Sequence, residues 1–509
     1  MSDSLSDPTN PTVKGERLRA NWLPDLALLA GFALLAMLLT MVAAISIHAG
    51  GTEGLFLALV LALLIGLTIV IVAGFDGWLP AIFALSLLAA LNLTVERVPL
   101  TIYAFDPLLL ALYGAWLWRA YRGESKPLRL TALDAAGLAL MAWLLLASLM
   151  GRHTPTALNG WLLYLRGYLI YFYFAHALQE RWQLRALVVV LLAMVAIQGG
   201  LGLLQYLTRS NIGSISDLVG GTVGKVREVG TAAGGLFRVR GTLNTDTSLA
   251  HWLEMLVPLA LSLWLATRTR MQRFLLGLIV LAGTAAQVVT FTRGGWFGLV
   301  AGMATVLWLQ FRSRLVIRRQ LIAAIAAVVL LALLLLPFAD LIRARLFESE
   351  GNTLTVRENL NRTALAVIAD HPLTGIGLDN FVRVAPDYGT GWRWLMEGKS
   401  HKVHNVYLAL ASEAGLLGLL LFLAFMGVVL LQSWPSRGED SAALWHTVPL
   451  ARGLLAGLVA VLVHGLAAWG LLSYGVFPLF WMLVGLAARS TAGERWSTKE
   501  STKSRERDA

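Results

Sequence analysis

From Ala186 to Leu207 the chain reads ALVVVLLAMVAIQGGLGLLQYL, without a single acidic or basic residue. As a helix rising about 1.5 Å per residue, this run is long enough to cross a hydrocarbon layer of about 30 Å. Runs of this kind recur along the sequence. Inside a bilayer no water reaches the backbone, so each run must close its own hydrogen bonds as a helix and pack against others in a bundle. A window of about 20 residues, broken at clusters of charge, Gly and Pro, predicts about fourteen spans. They cover 23–47, 55–73, 78–95, 104–119, 131–151, 161–179, 186–207, 247–267, 274–292, 295–311, 321–339, 404–432, 453–472 and 474–489. The composition agrees, with 57% hydrophobic and only 14% charged residues and a mean hydropathy of +0.69, and it excludes a soluble domain. The expected fold class is all-α: a polytopic integral membrane helical bundle of about 12–14 spans with a long, partly helical extracytoplasmic loop.

The polar residues 1–22 read as a retained cytoplasmic tail, because the first apolar run is too long for a cleaved secretory signal. Residues 23–489 form the membrane domain, and the Ser-, Thr- and Lys-rich 490–509 a cytoplasmic end. With the N-terminus inside, the loops expected in the cytoplasm hold Arg119, Arg122, Lys126 and Arg129, then Arg181 and Arg185, Arg268 to Arg273, Arg312 to Arg319, Arg437 and Arg452, as the positive-inside rule requires. The net charge of +11 is thereby assigned to anionic lipid headgroups, and no nucleic-acid partner is needed. The absence of cysteine excludes disulfides and thiolate chemistry.

The exceptions to that charge rule carry the functional information. Three segments on the expected outer face hold arginine: 208–246, with Arg238 and Arg240; the tight turn Thr292 to Gly295, with Arg293; and 340–403. Cations kept outside against the topological bias point to an anion. Arg293 is followed by two glycines, whose N–H groups can converge on an anion while a guanidinium grips two phosphate oxygens; the alternative is an arginine snorkelling to headgroups. Arg240 stands shortly before a span, with a solvated loop arginine as its alternative. In 340–403 a helix is expected over 356–370, capped by Thr355 and Glu358, with an apolar face of Leu360, Ala364, Val367 and Ile368 and a stop at His371-Pro372. Arg357 projects from its first turn, a further candidate for the anion.

His401, His404 and Asn405 stand where this polar segment becomes the span 404–432. At a helix N-terminus the dipole disfavours imidazolium, which suits His404 to act as a neutral base; a structural cap is the competing role. His401 and His404 also have the spacing of a metal pair, but no third ligand follows, so no metal is expected. Glu254, Glu413, Asp134 and Arg166 fall within predicted spans and must be paired or face a cavity.

Four stretches in order, RGT (240–242), TRGGW (292–296), HPLTGIGLDNF (371–381) and HNVYLALASEAGLLG (404–418), resemble the O-antigen ligase and polymerase family of bacterial membrane glycosyltransferases. The resemblance spans about 186 to 430. It implies an enzyme of the bacterial inner (plasma) membrane that works at its periplasmic face. Such an enzyme moves a glycan from undecaprenyl diphosphate onto an acceptor sugar hydroxyl, such as that of lipid A core, with inversion and without metal, cofactor or nucleotide sugar. By position, Arg240 and Arg293 would hold the diphosphate and His404 would deprotonate the acceptor, with Arg357, His401 and Asn405 as further substrate contacts. Two departures stand out: Lys402 occupies the place of a second histidine two before the catalytic one, and the Pro-Asn common after RGT is missing. A polymerase would share the same site; a small-anion transporter is the reading from another class, and it would call for a repeated architecture that the sequence does not show.

Overall fold

The computed structural model describes residues 74–89, 92–95, 100–103, 105–125, 127–178, 180–213, 228–229, 236–312, 351–388, 402–435, 447–473 and 475–492. The described helices belong to the unit formed by residues 77–509. Its helices are α1 (Leu79–Ser86), α2 (Asp106–Tyr121), α3 (Ala132–Leu149), α4 (Thr154–His176), α5 (Arg181–Thr208), α6 (Asp246–Ala266), α7 (Arg270–Val289), α8 (Arg293–Arg312), α9 (Gly351–Asp370), α10 (Val406–Gln432), α11 (Thr447–His464) and α12 (Phe477–Ala492). Two short antiparallel ladders accompany them, β1 (Asn92–Val95) with β2 (Leu100–Tyr103) and β3 (Glu228–Val229) with β4 (Leu236–Phe237). Among the described residues five helices, α3, α5, α6, α7 and α10, are long and apolar enough to cross a membrane by themselves, and α11 and α12 carry shorter apolar stretches. The chain is an all-α, multi-pass membrane protein.

Most predicted spans coincide with helices, and two are corrected. The segment expected to span 78–95 holds only the short α1, a 3-10 turn and the first strand of a hairpin, whose far end is fastened where Tyr103 N donates to Asp106 Oδ2 at 3.0 Å. The span expected over 453–472 stops at His464, because the chain turns at Gly465, whose carbonyl accepts from Val406 N at 2.9 Å. Spans 23–47, 55–73 and 321–339 lie outside the described residues.

Close packing of α6, α8 and α11 rests on glycine. Gly294, Gly298 and Gly302 recur every fourth residue along α8; a Cβ on Gly302 would lie 2.8 Å from Pro258 of α6 and 3.0 Å from Ala460 of α11. Between apolar helices in lipid, association relies on close van der Waals approach, and small residues at this spacing allow it. On the other side of α6, α5 packs on α7 through Gly199, where a Cβ would lie 2.9 Å from the Ala282 backbone.

Helix α10 is broken. Gly415 has φ +73°, so the helical hydrogen-bond ladder is interrupted two turns in. A break inside an apolar span leaves peptide groups that lipid cannot satisfy. The turn after α9 satisfies them: Ile376 N donates to Ser412 O (3.0 Å), Gly377 N to Glu413 O (2.9 Å), and Leu416 N to Pro372 O (2.8 Å), while Trp143 Nε1 donates to Ala414 O (2.9 Å). Gly375 and Gly377 adopt φ +66° and +93°, and a Cβ on Gly375 would sit 2.5 Å from the Glu413 carbonyl carbon. The TGIG sequence is therefore a plug for the broken helix, which gives physical content to the glycine turn expected there. Helix α9 packs above it through Leu360, Ala364 and Val367, buried with Ile376, Phe381, Val384, Val403 and Ala409. Because α9 begins at Gly351, Thr355 lies within it and the expected capping box is not its start; Glu358 instead pairs with Arg362 one turn on, at 2.6 Å.

Candidate functional site

One end of the bundle gathers the C-terminal ends of α5, α7 and α11 and the N-terminal ends of α6, α8 and α10. Val239 N reaches Val289 O at 3.5 Å, Gly294 lies on the His464 ring, and Val406 N reaches Gly465 O. Three segments distant in sequence thus meet there, those ending in Arg240, Arg293 and His404.

Arg293 opens α8 after a connection of only three residues, in which Phe291 is forced to φ +51°. Arg238 fixes this connection: its Nε donates to Thr290 O (2.9 Å), one Nη to Thr292 Oγ1 (2.9 Å), and its charge is paired with Asp246. The two glycines after Arg293 are also required by packing. A Cβ on Gly294 would overlap the His464 imidazole, and one on Gly295 would lie 2.8 Å from Ala250 Cβ. The first N–H groups of α8 nonetheless remain the positive end of a helix.

The RGT turn is held from α5. Gln205 Oε1 accepts from the amides of Arg240 (3.1 Å) and Gly241 (2.9 Å), and its Nε2 donates to Gly241 O (2.8 Å). Two helical turns away, Gln198 accepts from Thr242 N (3.0 Å) and donates to Thr242 Oγ1 (2.7 Å). Gly241 is at φ +59°, with no room for a side chain beside Gln198. Both glutamines are fully buried. Sequence reasoning passed over them, although two amides a heptad apart in an otherwise apolar span are a legible signal, since buried polar groups there must have partners.

Arg357, on the first half of α9, approaches the same place. The residue is exposed; desolvation first, then the positive charges of Arg293 and Arg238, lower its pKa. Among the described residues neither Arg293 nor Arg357 has a carboxylate partner, in contrast to Arg238 with Asp246 and Arg166 with Asp106 (2.9 Å). The site thus concentrates positive charge that an anion would relieve.

His404 is half-buried, just before α10. Its Nδ1 is 3.0 Å from the Lys402 carbonyl oxygen, which can only accept, so Nδ1 carries a proton and in the neutral imidazole Nε2 holds the lone pair. Asn405 is the N-cap of α10, its Oδ1 accepting from Tyr407 N (2.9 Å) and Leu408 N (3.1 Å). That oxygen is accordingly committed to the helix. His401 lies outside the described residues.

Beneath Arg293 is a polar cluster that sequence reasoning assembled only in part. Glu254 is fully buried between His251, whose Nδ1 lies 2.7 Å from Oε1, and His464, whose Nδ1 lies 3.0 and 2.9 Å from its two oxygens. The two imidazoles stack with centroids 3.9 Å apart. Among the described residues these three form a group whose donor atoms are near enough for a metal ion. Their separations are those of direct hydrogen bonds, shorter than between ligands sharing an ion at about 2.0–2.2 Å each. The residues as placed therefore fit a proton-bridged cluster better than a metal centre. Of the other acidic residues expected within spans, Asp134 is paired with His176 (2.9 Å) and accepts from Tyr171 (2.7 Å), and Glu413 accepts a long hydrogen bond from the Phe381 amide (3.4 Å).

Residues 278–423 match the model of the O-Antigen ligase family, a stretch that contains the Arg293 turn, Arg357, the glycine plug and His404. That stretch is similar to an O-antigen ligase domain. No curated protein matches the chain. Members of the O-antigen ligase and polymerase family act in polysaccharide biosynthesis on lipid-linked glycans, and the function of this chain is ligase- or polymerase-like in that general sense. Arg238, Arg240, Glu254 and His464 lie outside the matched stretch, on both sides of it in sequence, and the bundle brings them to the same end as Arg293.

Proposed function

We propose that the protein transfers a glycan from undecaprenyl diphosphate to an acceptor sugar hydroxyl at the periplasmic face of the inner membrane, as an O-antigen ligase. The observation that carries this reading is the pair of guanidiniums, Arg293 and Arg357, that lack carboxylate partners among the described residues and stand at the end of the bundle where His404 precedes α10. A diphosphate between them is held by charge-assisted, bidentate contacts, with Arg240 entering from the RGT turn. Holding the charge makes the diphosphate a competent leaving group. His404 Nε2 takes the acceptor hydroxyl proton as the oxygen attacks the anomeric carbon from the face opposite the diphosphate, which inverts that centre. The oxygen–hydrogen bond breaks as the glycosidic bond forms, and the electron pair of the old carbon–oxygen bond leaves on the diphosphate. No metal enters these steps.

A polymerase would use the same residues with a second lipid-linked glycan as acceptor, and the two are told apart by what a deletion strain accumulates. Long glycan chains left unattached to lipid A core are the expected result. Capped single repeats would assign polymerisation instead, and an unchanged surface glycan would overturn the transferase reading.

A further inference from the structure

The base proposed above does not stand alone: its orientation traces back to the plug in the broken helix. Lys402, whose carbonyl binds His404 Nδ1, is anchored through its own side chain. Its ammonium lies 2.6 Å from Asp379 Oδ1 and 5.5 Å from the centre of the Trp469 ring. Asp379 belongs to the turn that plugs α10, two residues after Gly377, and is one of three non-glycine residues with positive φ among those described, at +56°. A side chain held in that region marks a backbone fixed by its surroundings. Here the surroundings are explicit. Gly377 N is bonded to Glu413 O, Asn380 N to Gly377 O (3.3 Å), and Asn380 Nδ2 to Ile376 O (2.9 Å), with Asn380 fully buried; the Asp379 Cβ packs against Gly160 of α4.

We infer that Asp379 is a positioning residue for His404: through its ion pair with Lys402 it holds the Lys402 carbonyl on Nδ1, and so aims Nε2 at the acceptor hydroxyl. This rests on the proposed role of His404 as base. The ion pair keeps 39% and 34% of its side-chain surface exposed, so its worth lies in geometry more than in stability. Lysine at 402 then has a reason, because a long cationic side chain can reach back to the carboxylate while its backbone faces the histidine. The arrangement uses the logic of a catalytic triad, in which a carboxylate fixes the tautomer and direction of an imidazole, but routes it through a peptide carbonyl.

The test measures transfer from a purified undecaprenyl-diphosphate glycan, together with donor binding, by the full-length protein in nanodiscs. Asp379→Asn is the principal variant, because asparagine accepts positive φ and removes only the charge. Asp379→Asn and Lys402→Met are each expected to lower kcat about tenfold or more with donor Kd unchanged, and the double variant to be no worse than either alone, as for residues acting as one unit. Asp379→Glu should recover part of the loss. A kcat equal to wild type in Asp379→Asn, or losses that multiply in the double variant, would overturn the inference. A rise in acceptor KM without a fall in kcat would also overturn it, by making Asp379 a substrate contact. His404→Ala run beside them separates the two ideas: activity surviving that change removes the base itself, whereas activity abolished by it but untouched by Asp379→Asn removes only the positioning role.

Discussion

Replacing Gly415 with alanine attacks the break in α10 directly. The new Cβ would fall on the Leu373 carbonyl oxygen, and a residue with a side chain would have to hold φ +73°. The left-handed conformation alone costs about 1–2 kcal/mol. Relieving the overlap requires the 372–377 turn to lift, which unmakes the bonds of Ile376 to Ser412, Gly377 to Glu413 and Leu416 to Pro372. Each buried peptide group left unsatisfied costs about 1–3 kcal/mol. With one such group lost, the total is about 2–5 kcal/mol, so opening of the turn rises about 30-fold or more. Hydrogen–deuterium exchange of the protein in nanodiscs reads this at the amides of Ile376, Gly377 and Leu416. The expected outcome is faster exchange at these three positions, unchanged exchange in α6 and α7, and a parallel loss of transfer, since Asp379 and the start of α10 ride on the turn. Wild-type exchange at Ile376 and Gly377 in Gly415→Ala would refute the idea that the turn plugs the break.

Three further outcomes follow from the site. Arg293→Lys should keep the protein folded and lose most transfer, because a point ammonium cannot reproduce a bidentate grip; a lysine variant as active as wild type, in a transfer assay with purified donor, would instead favour headgroup snorkelling. Glu254→Ala should lower the thermal stability of the detergent-solubilised protein by the equivalent of about 3–5 kcal/mol, as expected when a buried charged network loses one partner, and Gly294→Ala should resemble it by displacing His464; a melting temperature equal to wild type in both would refute the packing described beneath Arg293. Gln205→Leu should raise the donor Kd while sparing the rest of the bundle, since it frees the RGT turn without touching Arg240 itself; unchanged donor affinity would show that this turn does not bind the diphosphate.

Much of this architecture was legible before any coordinates, because hydropathy over a span-length window reports a strong physical constraint. Helices α3, α5, α6 and α7 begin and end within a few residues of their predicted bounds. The arginines that broke the charge rule were equally visible, and Arg238, Arg240, Arg293 and Arg357 do come to one end of the bundle. What stayed hidden is what depends on contacts between distant segments. Gly415 sits in an apolar run without proline, and Glu413 two residues before it does not by itself mark a break; the amides that arrive from 372–377 make it one. Gln198, Gln205 and Asp379 act through backbone groups of other segments, which residue type alone does not disclose. Glu254 was legible as a buried charge needing a partner, but its partner His464 lies 210 positions away. Asn405, expected as a substrate contact, has its side-chain carbonyl oxygen committed to capping its own helix, a second role that the residue type alone does not separate from the first.

The most direct test of the central claim is donor binding and transfer by His404→Ala in the same preparation. The diphosphate contacts belong to arginines on other segments, so the variant should bind the undecaprenyl-diphosphate glycan with the wild-type Kd and transfer none of it. In the wild type the rate should fall toward acid pH as the imidazole that must accept a proton is filled, and chelators should leave it unchanged. Loss of donor binding in His404→Ala, or inhibition by a chelator that added metal reverses, would contradict the assignment of His404 as the base.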